Sequence, residues 1–362
     1  MQIKPSIYWL FIFMPVALVL EHAGVPAPYV FFSAALAIVP IASLIVRATE
    51  QIATRTGDAV GGLLNATFGN APELIISFVA LKAGLFDMVR AALIGAILAN
   101  ILLALGLAFF LGGLRYRDQD YNPVAARVYS SMMLIAVVSL AVPSAFSRFF
   151  APEETIRSET LLNVGLAVVL LVAYALYLVF MLKTHPGAFA AKGGHVEEDE
   201  GARWSLTRAV GSLVGASLLA ARMSEILVGA AEGTGTALGM TQVFIGIVFV
   251  AIVGGAAESG SAIVMARKNR MDMTIGIALG SSIQIALFVA PVLVLASYFT
   301  APQPLELSFG RAEIGALLMA VLMGTVVVGD GRSNWYKGIQ LITVYLIIAF
   351  MFYFLPVLTH SS

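Results

Sequence analysis

The sequence predicts an all-α polytopic membrane protein of about eleven transmembrane helices, one leading helix followed by two inverted five-helix repeats. Three observations predict it. Charges are scarce within long apolar runs, basic residues gather on alternate loops, and a set of motifs recurs at one fixed offset.

The scarcity of charge sets the class. Of 362 residues, 60% are hydrophobic and 12% charged, and the mean hydropathy is +0.93. A soluble domain carries about a quarter charged residues, and a run of about 20 apolar residues crosses the hydrocarbon core. Gly, Pro and charge divide the chain into segments near 7–20, 28–48, 59–81, 88–111, 128–147, 160–182, 206–225, 241–266, 273–299, 306–328 and 336–357. Lipid offers the backbone no hydrogen bonds, so each segment must satisfy its own as a helix, and no barrel-like alternation is visible. Lys4 ahead of Ile7 to Leu20 imitates a signal peptide, but Glu21 and His22 end the run without a small-residue cleavage site. The segment is therefore expected to stay as the first span. Lys+Arg and Asp+Glu both number 21, so nothing attracts nucleic acid. With no Cys and four His, thiolate sites are excluded, soft-metal sites disfavoured, and a bound cation must be held by oxygen.

Basic residues orient the chain. With the N-terminus in the cytoplasm, the inner side holds Lys4, Arg47, Arg55, Arg115, Arg117, Arg127, Arg267, Lys268, Arg270 and others. The outer side holds only Lys82, Arg90, Arg148, Arg157 and Arg311, the bias expected of positive-inside topology. The sizeable polar loop, 183–205, then lies inside and carries Glu197, Glu198, Asp199 and Glu200. It reads as a solvated linker or as an acidic patch that concentrates cations at the inner mouth.

The recurrence is the most informative feature. Gly69-Asn70-Ala71-Pro72-Glu73 returns as Gly254-Gly255-Ala256-Ala257-Glu258, 185 residues later. The same offset takes Asp87-Met88 to Asp272-Met273 and Gly95 to Gly280, while Glu50 and Glu225 pair at a shorter one. The chain thus divides into a leading helix (1–27), a first repeat (28–182), the acidic linker (183–205) and a second repeat (206–362). Five helices is an odd number, so the second repeat enters the membrane inverted. Inverted repeats with helix breakers at matching positions point to a transporter site near the midplane.

Glu73 and Glu258 sit deep in apolar segments, where a carboxylate costs several kcal/mol unless it faces a cavity and a partner. No Lys or Arg is placed to neutralise either, which leaves a cation or a proton. Gly69 and Pro72, and Gly254 with Gly255, interrupt the helices just before each glutamate and free carbonyls for coordination. Calcium takes six to eight oxygens, more than two carboxylates give. Asn70, Asn100, Ser281, Ser282 and Gln284 either complete the shell or hydrogen-bond between helices. Close carboxylates repel, so the doubly ionised site is costly to occlude, and either one divalent cation or protons cancel its charge. If only neutralised forms change their exposure, the protein exchanges one for the other. Glu50 and Glu225 read as access or proton-relay groups or as solvated interfacial residues, with Arg222 snorkelling or pairing with Glu225.

At these residues the sequence resembles the cation/calcium exchanger superfamily, in its calcium/proton antiporter branch. Leu63 to Ser77 (LLNATFGNAPELIIS) is similar to the branch's first motif. Ser224 to Val228, Phe244-Ile245-Gly246, Gly254 to Glu258 and Gly280 to Gln284 follow its second. The resemblance, from about residue 28 to the C-terminus, implies transported calcium and protons, no cofactor, and Glu73 and Glu258 as central ligands. It also implies residence in a bilayer, here a bacterial cytoplasmic membrane. Gly255 and Ser259 stand where the branch has Asn and His, and Ala99 where it often has Ser, so the second half offers one amide fewer. Ser259, Ser261 or a carbonyl is the candidate replacement. Competing readings are the same architecture with another cation, an ion channel, and an intramembrane hydrolase, which lacks a water-activating His or Ser–Lys pair.

Overall fold

The computed structural model describes residues 6–56, 64, 67–146, 156–189 and 204–355, side chains of 156–159 excepted. The acidic run Glu197–Glu200, the basic residues Arg148, Lys192 and Arg203, the Arg157 side chain and most of the front of the third segment lie outside the described residues.

A turn of 3-10 helix, Ile7–Ile12, leads into α1 (Phe13–His22). The helices that follow are α2 (Ala27–Thr56), α3 (Ala71–Lys82), α4 (Phe86–Tyr116), α5 (Pro123–Ala145), α6 (Thr160–Thr184) and the short α7 (Pro186–Phe189). Then come α8 (Leu206–Leu238), α9 (Gln242–Gly254), α10 (Ala256–Arg267), α11 (Met271–Thr300), α12 (Arg311–Val328) and α13 (Trp335–Phe354). Among the described residues eight helices are long and apolar enough to cross a membrane: α2, α4, α5, α6, α8, α11, α12 and α13. The α9–α10 pair meets the same test as one unit bent by 56° at Gly255, and the Ile7–His22 stretch is a shorter apolar helix. A three-residue antiparallel ribbon, β1 (Asp118–Asp120) against β2 (Arg332–Asn334), ties the ends of α4 and α13 in a way apolar periodicity does not foresee.

Helix starts follow local chemistry. Asn122 accepts from the Val124 amide at 2.9 Å with Pro123 at the first position of α5, and Thr241 accepts from Phe244 at the start of α9. Gly239, at φ 66°, closes α8 in the left-handed region. Two helices outrun their hydropathy windows. α2 continues to Thr56 and α8 to Leu238, because these two pack chiefly on each other and keep burying one face after polar residues enter the other.

Trp204, near the end of the linker, locks this pair where α2 ends and α8 begins. It is buried, and its ring lies under Arg208 (4.6 Å) and Arg47 (5.3 Å). Its amide donates to Gln51 Oε1 at 2.9 Å, and Arg55 donates to its carbonyl. Trp204→Ala should lower stability by about 3 kcal/mol, the lower end for truncating a buried aromatic. Thermal unfolding of the detergent-purified protein checks this, and an unchanged midpoint would remove Trp204 from the joint.

Candidate functional site

Both interrupted segments present a glutamate in the same way. Asn70 and Gly255 are the residues before the first turns of α3 and α10, with φ, ψ of −100°, 31° and −81°, 13°. Pro72 occupies the first turn of α3, where a missing N–H costs nothing. Glu73 and Glu258 then fall in those first turns, where amide dipoles favour negative charge.

The two glutamates lie close enough to interact electrostatically. Glu73 lies against the Gly254–Gly255 break: a methyl on Gly254 would stand 3.0 Å from Glu73 Cγ, and one on Gly255 would stand 3.6 Å from Glu73 Oε1. Glu258 is within electrostatic reach of Glu73. Both are buried, at 6% and 8% exposure, and all four carboxylate oxygens lack a hydrogen-bond partner within the described protein. A buried charge without a partner is strongly unfavourable, so this pair is chemically able to take up a cation or protons. No third carboxylate or His joins them among the described residues.

A polar bridge crosses beside the pair. Asn100 Nδ2 donates to Ser281 Oγ at 3.1 Å, and Ser281 donates to Asn70 Oδ1 at 2.5 Å, joining α4, α11 and the turn before α3. With its amide nitrogen committed, Asn100 turns Oδ1 towards Gly255, 3.5 Å from where a methyl there would sit. Gln284 is buried with Nε2 unpartnered in the described protein, whereas the Ser282 hydroxyl donates to the Ala278 carbonyl of its own helix. Asn100 lies in a π-helical stretch, Ala99–Ala104, and Gln284 directly precedes another, Ile285–Val289. Such widened turns recur at functional sites.

Glu50 and Glu225 lie apart from this centre. Glu50 is exposed on α2, next to the Gln51 that holds Trp204. Glu225, also exposed, sits at mid-length of α8 rather than near its end, 3.3 Å from Arg222, which reaches Glu21 of α1 at 2.5 Å.

The structure adds a chamber that sequence reasoning missed. It is lined by Glu73, Ile76 and Ser77 of α3, Ala92, Leu93 and Ala96 of α4, Val250 and Ala251 of α9, and Ile285 of α11. About 10 Å³ is open to the centre of a water-sized sphere, room for one water. Ser77, one turn beyond Glu73, was the available signal.

The profile of a family described as sodium/calcium exchanger protein matches residues 26–183 and 208–354. A "Ca(2+)/H(+) antiporter" of Aphanothece halophytica is 38% identical over 369 residues, covering 98% of each chain. The "Ca(2+)/H(+) antiporter ChaA" of Bacillus subtilis is 41% identical over 332 residues, 91% of this chain and 93% of its own. The solved structure of native YfkE superposes with a TM-score of 0.84 at 37% identity, covering 97% of this chain and 100% of that one.

Proposed function

Because the chain belongs to the sodium/calcium exchanger protein family and is an integral membrane protein, we propose that it exchanges calcium for protons across the bilayer by alternating access. The observation that carries this reading is the juxtaposition of two buried glutamates, each in the first turn after a helix break, with no partner for any of their oxygens among the described residues. A site of charge −2 resists being closed off from water. One calcium cancels the charge, and so do protons, and only a cancelled site passes between inward and outward exposure. Calcium then leaves the cytoplasm as protons enter.

In this reading the fold is a leading helix (1–27), a five-helix unit (28–182), a linker (183–205) and an inverted five-helix unit (206–362), eleven spans in all. Support comes from the 185-residue offset, which also relates the π-helical stretches at 99–104 and 285–289, and from the two separate stretches matched by the family. The Lys and Arg bias supports an N-terminus in the cytoplasm, and the membrane in this reading is a bacterial cytoplasmic one. Glu73 and Glu258 are the cation and proton ligands. Asn70, Asn100, Ser281, Ser282 and Gln284 complete or support the shell, and Glu50 and Glu225 serve the access routes.

Proteoliposomes with an imposed pH gradient test the reading. Calcium uptake should follow the gradient and collapse with a protonophore. Uptake driven by sodium instead, or selective for manganese or potassium over calcium, would replace the ion pair while keeping the architecture. Flux far above transporter rates would make the protein a channel.

A further inference from the structure

The site's polar bridge has no counterpart on its other side. The 185-residue offset pairs Asn70 with Gly255 and Ala96 with Ser281. Asn70 and Ser281 are joined by a hydrogen bond of 2.5 Å. Carried through the offset, that contact falls on Gly255 and Ala96, neither of which has a polar side chain. Ala96 lines the water-sized chamber with Glu73, Ser77 and Ala251. The Ala251 carbonyl oxygen stands 3.3 Å from the point a Cβ on Gly255 would take, and Glu73 Oε1 and Asn100 Oδ1 stand 3.6 and 3.5 Å from it. A side chain at 255 would project between two oxygens of the site.

We propose that the cation site is lopsided: one side is completed by the Asn70–Ser281–Asn100 bridge, the other by a water held beside Glu73, between the chamber wall at Ala96 and the helix break at Gly255. These two small residues thereby set how strongly the site prefers calcium over a cation that keeps its own water. The inference rests on the exchange reading above. Calcium favours six to eight oxygens in a flexible shell, whereas magnesium gives up its waters reluctantly and is commonly bound with several retained. A water position in place of a fixed amide oxygen therefore weakens calcium more than magnesium.

Equilibrium titration of calcium and of magnesium into the purified full-length chain tests this without transport. The double substitution Gly255→Asn with Ala96→Ser should bind calcium roughly tenfold tighter, the scale on which supporting residues tune a metal site, with magnesium unmoved. Gly255→Ala, which adds a methyl and no oxygen, should gain nothing. Equal calcium affinity in the double variant and the parent chain overturns the proposal, as does an equal gain from Gly255→Ala or an equal gain for magnesium. If the double variant misfolds, Ala96→Ser alone decides: it adds a hydroxyl inside the chamber without crowding the Ala251 carbonyl. Tighter calcium binding supports the water position, and unchanged binding overturns it. A parent chain that binds no divalent cation sinks the exchange reading and this inference with it. Calcium binding by the parent that neither variant improves sinks the inference alone.

Discussion

Glu73→Gln and Glu258→Gln are each expected to abolish calcium-driven proton movement. The amide keeps the shape of the side chain but neither ionises nor takes up a proton in this range, so each variant loses one of the two charges that a divalent cation must cancel. The site would then hold at most one negative charge, and a bound calcium would leave a net charge of +1 that is itself costly to occlude. Transport should fall by more than the roughly 10–100-fold that losing a supporting residue costs, because a direct ligand is removed. The measurement is external calcium acidifying or alkalinising proteoliposomes that contain a pH-sensitive dye. Folding is controlled separately. The four carboxylate oxygens have no partner among the described residues, so replacing one buried charge by an amide should not lower the cation-free melting temperature. Calcium at about a hundred times its dissociation constant should stabilise the parent by about 2.7 kcal/mol and either variant by far less. Full exchange in either variant would end the charge-cancellation scheme.

The class of the protein and the centre of the candidate site were legible in the chain because both are matters of charge against an apolar background. Glu73 and Glu258 stand out in segments that should hold no carboxylate, and Pro72 and Gly255 announce the breaks before them. Helix length was less legible. α8 continues to Leu238, well past the window that ended near residue 225, because its later turns still bury Leu227, Ala231 and Thr234 against neighbours. Hydropathy cannot tell a lipid-facing apolar residue from one that faces protein, and so it could not assign Trp204 to a joint or Ala96 to a chamber. The chamber was invisible for a sharper reason. It lies where two small residues meet from elements far apart in sequence, and small residues in a membrane helix usually mean close packing.

Gly95 and Gly280 show how far the offset can mislead, and they supply the second large effect. Equivalent by the repeat, they occupy opposite environments. A methyl on Gly95 would overlap the backbone of Ile247 where α4 crosses α9, and the reciprocal Gly246 would put a methyl 3.0 Å from the Met88 carbonyl oxygen. Two glycines thus interlock the helices that carry Ala96 and Ala251, the walls of the space beside Glu73. Around Gly280 nothing lies within 4 Å of an added methyl. Gly95→Ala should therefore destabilise by more than about 3 kcal/mol, beyond ordinary overpacking, because backbone rather than a flexible side chain must give way. Gly280→Ala should be neutral or stabilise by up to about 1 kcal/mol, since alanine loses less freedom in a helix. Thermal unfolding and transport measured on both variants separate the cases. A symmetric molecule would respond alike at the two positions. The crossing described here requires the first variant to melt early and lose exchange while the second keeps both, and equal melting would show that α4 and α9 do not approach as closely as Gly95 allows.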